Sequence, residues 1–220
     1  MTAQASKPTD QSLLLRQERE HGVVLLTMNR PDAFNSLSSG LMAAMQDELD
    51  RIKDDPDARV VIIDGAGRGF CAGHDLKEIR GLNSVEDRQA LLAQCCQLML
   101  SIVHSPKPVI AKVHGIATAA GCQLVASCDL AVATDDARFA TPGVNIGLFC
   151  HTPMVALGRN VARKQAMEML LTGEMMDAPT ALRFGLINRH VPAAELDGAV
   201  MDLAAKIAGK SSYTLRIGKE

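Results

Sequence analysis

Short, unbroken apolar blocks constrain this chain more than any other feature. Val23-Val24-Leu25-Leu26 and Val60-Val61-Ile62-Ile63 leave no polar position for a wet face, which predicts strands covered on both sides. Val109-Ile110-Ala111-Lys112-Val113 and Leu130-Ala131-Val132-Ala133 repeat the pattern, and residues 12–18 and 22–28 predict two strands joined by a turn at His21-Gly22. Between blocks the period changes. Leu37, Leu41, Met45, Leu49 and Ile52 recur at helical spacing, with Asn35 or Ser36 as the expected cap. A second helical pattern runs from Ser84 to about His104 and stops at Ser105-Pro106-Lys107-Pro108. Ala119–Ser127 reads as a buried helix, and from Met154 onward the pattern is helical apart from a short strand near Leu186-Ile187. Alternating strands and helices predict an α/β fold with right-handed crossovers. With no repeat, low-complexity run or linker, the expected organisation is a polar tail over 1–12, one core over 13–195, and the start of a helical region over 196–220.

Composition removes several function classes. A net charge of −2 offers no concentrated field for nucleic acid, and with no Trp, one Tyr and five Phe there is no platform for stacking bases. The longest apolar stretch, Ile116–Ala133, is interrupted by Gln123 and Asp129, so no membrane span is expected. Cys71, Cys95, Cys96, Cys122, Cys128 and Cys150 show no Cys-x-x-Cys spacing, and no metal is expected. Most lie in apolar surroundings. With no apolar signal segment at the start, this predicts reduced thiols and a cytoplasmic location.

Two stretches rich in small residues carry the chemistry: Phe70-Cys71-Ala72-Gly73-His74-Asp75-Leu76 and His114-Gly115-Ile116-Ala117-Thr118-Ala119-Ala120-Gly121-Cys122-Gln123. Each follows a buried strand and leads toward a helix. Small side chains let a ligand approach the backbone, and N–H groups at a helix start are unpaired. Two such groups aimed at one point would hold a developing oxyanion. The same composition also serves tight strand–helix packing with no ligand, and both readings stand at this stage.

The order and spacing of these stretches resemble the crotonase superfamily, the enoyl-CoA hydratase/isomerase family. The likeness extends through Asn29-Arg30-Pro31-Asp32-Ala33-Phe34-Asn35-Ser36-Leu37, Ala137-Arg138-Phe139-Ala140-Thr141-Pro142, and Leu171-Thr172-Gly173-Glu174 to Gly185-Leu186-Ile187. Gly73-His74-Asp75-Leu76-Lys77-Glu78 and Gly143–Cys150 resemble one subgroup in particular. The resemblance implies a spiral of ββα units with a helical C-terminal part, shortened relative to the family, assembled as a trimer or hexamer. It implies an acyl-CoA thioester as ligand, with coenzyme A as part of the substrate and no tightly bound cofactor. It places the thioester oxygen between the backbone N–H groups of His74 and Ala120, and CoA contacts at Ala33, Ala72, His74, Asp75, Leu76, Lys77 and Ala120. Ala at 120 is tolerable there if its φ stays negative.

The resemblance breaks at the proton-transfer groups. Hydratases of the family use two glutamates beside the substrate double bond, and these align with Gln123 and Gly143. Gln orients a water but cannot take its proton, and Gly offers nothing. Candidate substitutes are His151, as the side chain that titrates near neutrality, and Asp75, whose other reading is a helix cap. Cys122 and Cys150 are weaker nucleophile candidates. The expected function is an acyl-CoA enzyme with weak hydratase activity. The alternatives are an acyl-CoA-binding pseudoenzyme, or a CoA thioesterase or decarboxylase on the same fold. Open pocket walls and an exposed apolar surface near residues 211–220 are also expected.

Overall fold

A computed structural model describes residues 12–220. The hairpin of β1 (Leu14–Arg19) and β2 (Val23–Met28) turns at His21 and Gly22, both at positive φ. β3 (Val60–Gly65), β4 (Val109–Val113), β6 (Leu130–Thr134) and β9 (Arg189–Val191) then add in parallel, completing a six-stranded sheet ordered β1-β2-β3-β4-β6-β9. The unbroken apolar blocks have a direct cause: alternate residues serve two separate cores. Val24, Leu26, Met28, Val61, Ile63 and Ala111 face the main core, beneath α1 (Ser39–Asp54), α3 (Val85–Val103) and α4 (Ala120–Ser127). Val23, Leu25, Val60, Ile62, Ile110 and Val132 face α8 (Leu196–Ala208), which meets them with Leu196, Val200, Ala204 and Ala208. Burying side chains such as Leu196 and Val200 contributes about 1.5–3 kcal/mol each. The helix beyond residue 195 therefore closes one face of the sheet.

A second, three-stranded sheet joins β5 (Ile116–Thr118), β7 (Arg138–Ala140) and β8 (Met176–Asp177). It holds the backbone that leads straight into α4. The remaining helices are α2 (Leu76–Gly81), α5 (His151–Asn160), α6 (Arg163–Thr172), α7 (Ala178–Phe184) and α9 (Ser212–Lys219).

Two local expectations differ from the structure. The cap of α1 is Ser38, whose hydroxyl accepts from the Leu41 N–H at 3.2 Å; Asn35 and Ser36 lie in the preceding loop. Leu186-Ile187 is not a strand; the chain pairs a few residues later, at β9. The expected tail lies outside the described residues up to position 11. Tyr213 and Ile217 are 67% and 50% exposed on α9, in keeping with the expected apolar surface. Among the described residues no helix is long and apolar enough to cross a membrane.

Candidate active site

Three loops at the carboxyl end of the parallel strands are bonded into one frame. Asn35 is its bolt. Fully buried at φ 52°, it accepts from the Arg30 N–H at 2.9 Å and donates to the Ala66 and Gly69 carbonyls at 2.8 Å each. Ala72 N–H donates to Phe34 O (3.0 Å), Leu37 N–H to Gly73 O (2.7 Å) and Asp75 N–H to Leu37 O (3.0 Å), joining the first loop to the second. Cys71 N–H donates to Ile116 O (3.0 Å), Thr118 N–H to Cys71 O (2.9 Å) and the Thr118 hydroxyl to Ala72 O (3.0 Å), joining the second to the third. Ala33 ends the turn Pro31–Ala33 and accepts from the Ser36 N–H at 3.0 Å.

The bridge between Leu37 and His74 uses the groups flanking His74, so the N–H of His74 itself points away from that partner. Ala120 is the first residue of α4, where an N–H has no intrahelical acceptor. Among the described residues neither N–H has an acceptor. The two sites adjoin: a Cβ built on Gly73 would lie 3.3 Å from Ala120 N and 2.9 Å from Ala119 Cβ. The positive φ falls not at Ala120 but at Ala119 (φ 49°, ψ −117°), whose N–H is tied to Ala140 O at 2.9 Å. Such a non-Gly conformation costs on the order of 1–3 kcal/mol and is held by its surroundings. Ala119→Gly is expected to raise stability by about 1 kcal/mol, read as a shift in the urea midpoint; a loss of 1 kcal/mol would mean that the Ala119 methyl packing outweighs the strain.

Gln123, one turn into α4, is 4% exposed, and among the described residues its Oε1 has no donor. It lines a pocket of about 200 Å³ with Met99, Leu100 and Val103 of α3 and Val155 and Ala156 of α5. Among the described residues the buried His74 ring nitrogens have no partners, and burial holds this imidazole below the usual histidine range, against the pull of Glu78. Gly143 sits in the 3-10 turn Pro142–Ile146, where a Cβ would come within 2.9 Å of Cys150 Sγ and 3.0 Å of Leu148 O. A longer side chain therefore needs the turn to move.

The other candidate side chains are not among the residues lining the Gln123 pocket. His151 is exposed at the start of α5, edge-on to Phe149 at 5.5 Å, and is not among the pocket-lining residues. Asp75 caps α2, accepting from the Lys77 and Glu78 N–H groups at 3.0 and 3.3 Å, and pairs with Arg30 at 2.8 Å. The Arg30 hydrogen bond holds its carboxyl below the usual range, which suits a cap and not a base. Burial pushes the Cys122 thiol up to about 12 and raises that of Cys150, so both are protonated at neutral pH. Leu76 and Lys77 are exposed on the first turn of α2, and Glu78 accepts from the Ser39 N–H at 2.9 Å. Sequence reasoning missed three residues of this frame: Asn35 as a loop bolt, Arg30 as the partner of Asp75, and the strain at Ala119. The first two lie inside a stretch whose polar residues invited a capping assignment.

A mostly parallel sheet backed by helices, with small-residue loops leading to helix starts, matches crotonase-type solved structures. The chain belongs to the enoyl-CoA hydratase/isomerase family, whose model it matches over residues 18–220. It is similar to the crystal structure of an enoyl-CoA hydratase from Mycobacterium smegmatis (TM-score 0.93, 52% identity, covering 95% of this chain and 81% of that one). The crystal structure of human enoyl-CoA hydratase domain-containing protein 3 is also similar (TM-score 0.88, 44% identity, 94% and 81% covered). The protein of that name from Xenopus laevis is 46% identical over 202 residues, 92% of this chain and 69% of that one. The human and Xenopus laevis names are those of the subgroup that the Gly73–Glu78 run resembles.

The comparisons correct the expected location. The Xenopus laevis relative and four other vertebrate relatives are named as mitochondrial, which overturns the cytoplasmic expectation. That expectation rested on reduced thiols, which separate reducing from oxidising compartments and do not tell one reducing compartment from another.

Proposed function

We propose that this chain acts on acyl-CoA thioesters as an enzyme of the hydratase/isomerase type, with the thioester oxygen received by the N–H groups of His74 and Ala120. The observation that carries this reading is the adjacency of two N–H groups without acceptors, one held in place by the strained Ala119. Enolate charge developing on the oxygen strengthens both hydrogen bonds at the moment of reaction, and one such donor is worth about 10²–10³ in rate. Coenzyme A enters as part of the substrate, passing Ala33, Ala72 and the exposed first turn of α2, where Lys77 supplies a cation. Gln123 orients water or substrate through its amide without exchanging a proton, so the chemical step is slow.

Calorimetry tests the oxygen site directly. Butyryl-CoA is expected to bind about tenfold more tightly than the butyl thioether of CoA, which lacks the carbonyl oxygen and leaves both donors unpaired. His151→Ala is expected to leave both affinities unchanged. Equal affinities would remove the oxyanion site, and binding of neither ligand would remove the acyl-CoA reading.

A second reading, acyl-CoA binding without turnover, draws on Gly143, where even an added Cβ would crowd Cys150 Sγ at 2.9 Å and Leu148 O at 3.0 Å. Turnover of any acyl-CoA in a substrate panel would reject it.

A further inference from the structure

His114 stands at the base of the third loop, and its two ring nitrogens face two oxygens. Nε2 is 3.0 Å from the Gly67 carbonyl, and Nδ1 is 3.6 Å from Asp64 Oδ1. A neutral imidazole has one N–H and satisfies only one of these oxygens; its other nitrogen then turns a lone pair toward the second. The imidazolium donates to the Gly67 carbonyl and sets its charge beside the Asp64 carboxylate.

Its neighbours favour that form. The other Asp64 oxygen pairs with Lys112 Nζ at 3.1 Å, and Lys112 also pairs with Asp197 of α8 at 2.9 Å. Two carboxylates against one ammonium leave one negative charge, which a charged His114 balances. Asp64 Oδ1 also accepts from the Gly65 N–H at 2.7 Å. From the second loop, Arg68 lays its guanidinium over the Phe34 ring, 5.0 Å from the centroid.

The backbone here joins the two donor-bearing loops. The His114 carbonyl accepts from the Phe70 N–H at 2.9 Å. Gly115, at φ 59°, passes so close to the second loop that a Cβ would lie 2.2 Å from Arg68 O. The ring of His114 thus grips the start of the Gly65–Asp75 loop while its carbonyl grips the middle.

We infer that His114 is a positioning residue: its protonated ring clamps the second loop to the third and so sets the spacing of the His74 and Ala120 N–H groups. This rests on the acyl-CoA reading above, because the groups it positions are those proposed to hold the thioester oxygen. The Asp64 carboxylate beside the ring raises the His114 pKa above the ordinary value of 6.5, with burial opposing. A raised folded-state value means that the clamp is complete below 6.5 and is lost as pH rises through the raised value.

Butyryl-CoA affinity, measured from pH 5.5 to 9 against free CoA as the baseline, tests this. The wild-type ratio is expected to fall about tenfold across the upper part of the range, with a midpoint matching the His114 titration seen by NMR. In His114→Gln, which keeps one donor but does not titrate, the ratio is expected to be flat and weak. Asp64→Asn provides a second variant if His114→Gln folds poorly: it leaves the ring titratable but removes the carboxylate that favours the charged form, so the midpoint is expected to move to lower pH. Equal pH slopes in wild type and His114→Gln, or an unmoved midpoint in Asp64→Asn, overturn the inference while leaving the acyl-CoA reading intact. If no CoA ester binds, that reading fails, and the clamp is judged by the Phe70 amide protection factor. It should drop with the His114 midpoint in wild type only, and a pH-independent factor overturns the inference.

Discussion

Hydration of crotonyl-CoA by this chain is expected to be roughly 10⁴-fold slower than hydration by a relative carrying both glutamates. A positioned acid or base contributes about 10²–10⁴ in rate, and the positions at which the family resemblance implies glutamates hold Gln123 and Gly143. The proposed oxyanion donors are retained, so the loss is confined to proton transfer. Loss of the enoyl absorbance measures the rate. Gln123→Glu is expected to recover about 10²-fold, because a carboxylate in this buried site would have a raised pKa and could hold a proton near neutrality. Gly143→Glu is expected to recover nothing, since its Cβ would fall 2.9 Å from Cys150 Sγ and the turn would be displaced before the carboxylate arrived. A wild-type rate within tenfold of the relative would mean that another side chain moves the proton. The exposed His151 and the arginine-paired Asp75 are poor candidates for that work.

The legible part of the fold was set by burial, and the illegible part by tertiary constraint. Blocks such as Val60–Ile63 announce themselves because both faces of the strand meet a core, leaving no polar residue to blur the pattern. β5, β7 and β8 are two or three residues long, too short for any period to register. Asn35 is a good capping residue by type, yet its amide bonds the loop to Ala66 and Gly69, and the cap passes to Ser38. Asp75 illustrates the opposite case: its capping role follows from a short acceptor placed just before the helix, and the structure has it there. At the site, the two loops were visible as runs of small residues. Which alanine bears the strain was not visible, because nothing local drives Ala119 to positive φ; its tie to Ala140 O and its place against Gly73 do. The same holds for His114, whose partners Asp64 and Gly67 are some 50 residues away in sequence.

Gly121→Ala is expected to cause the largest loss of stability and binding together. A Cβ at this position would lie 2.1 Å from Cys71 O, 2.8 Å from its carbonyl carbon and 2.9 Å from its Cβ. The nearest obstacle is backbone, so no rotamer change relieves it. The same Cys71 carbonyl accepts from the Thr118 N–H at 2.9 Å, and the next residue's carbonyl accepts the Thr118 hydroxyl at 3.0 Å. Making room for one methyl therefore means parting the second loop from the third where both hydrogen bonds close. We expect a destabilisation of about 3 kcal/mol from overpacking and the lost bonds. His74 follows Cys71 by three residues and Ala120 precedes Gly121, so the shift separates the two N–H groups. Separating them gives up the roughly tenfold by which the carbonyl oxygen strengthens binding, which is the expected loss in butyryl-CoA affinity. Gly198→Ala is the matched control: it lies in α8 with nothing within 4 Å of the added methyl, and should stabilise by about 0.5–1 kcal/mol with binding unchanged. Urea denaturation and calorimetry read both variants. A Gly121→Ala protein within 1 kcal/mol of wild type would show that the loops part easily, and the adjacency of His74 and Ala120 would then not be a built feature of this fold.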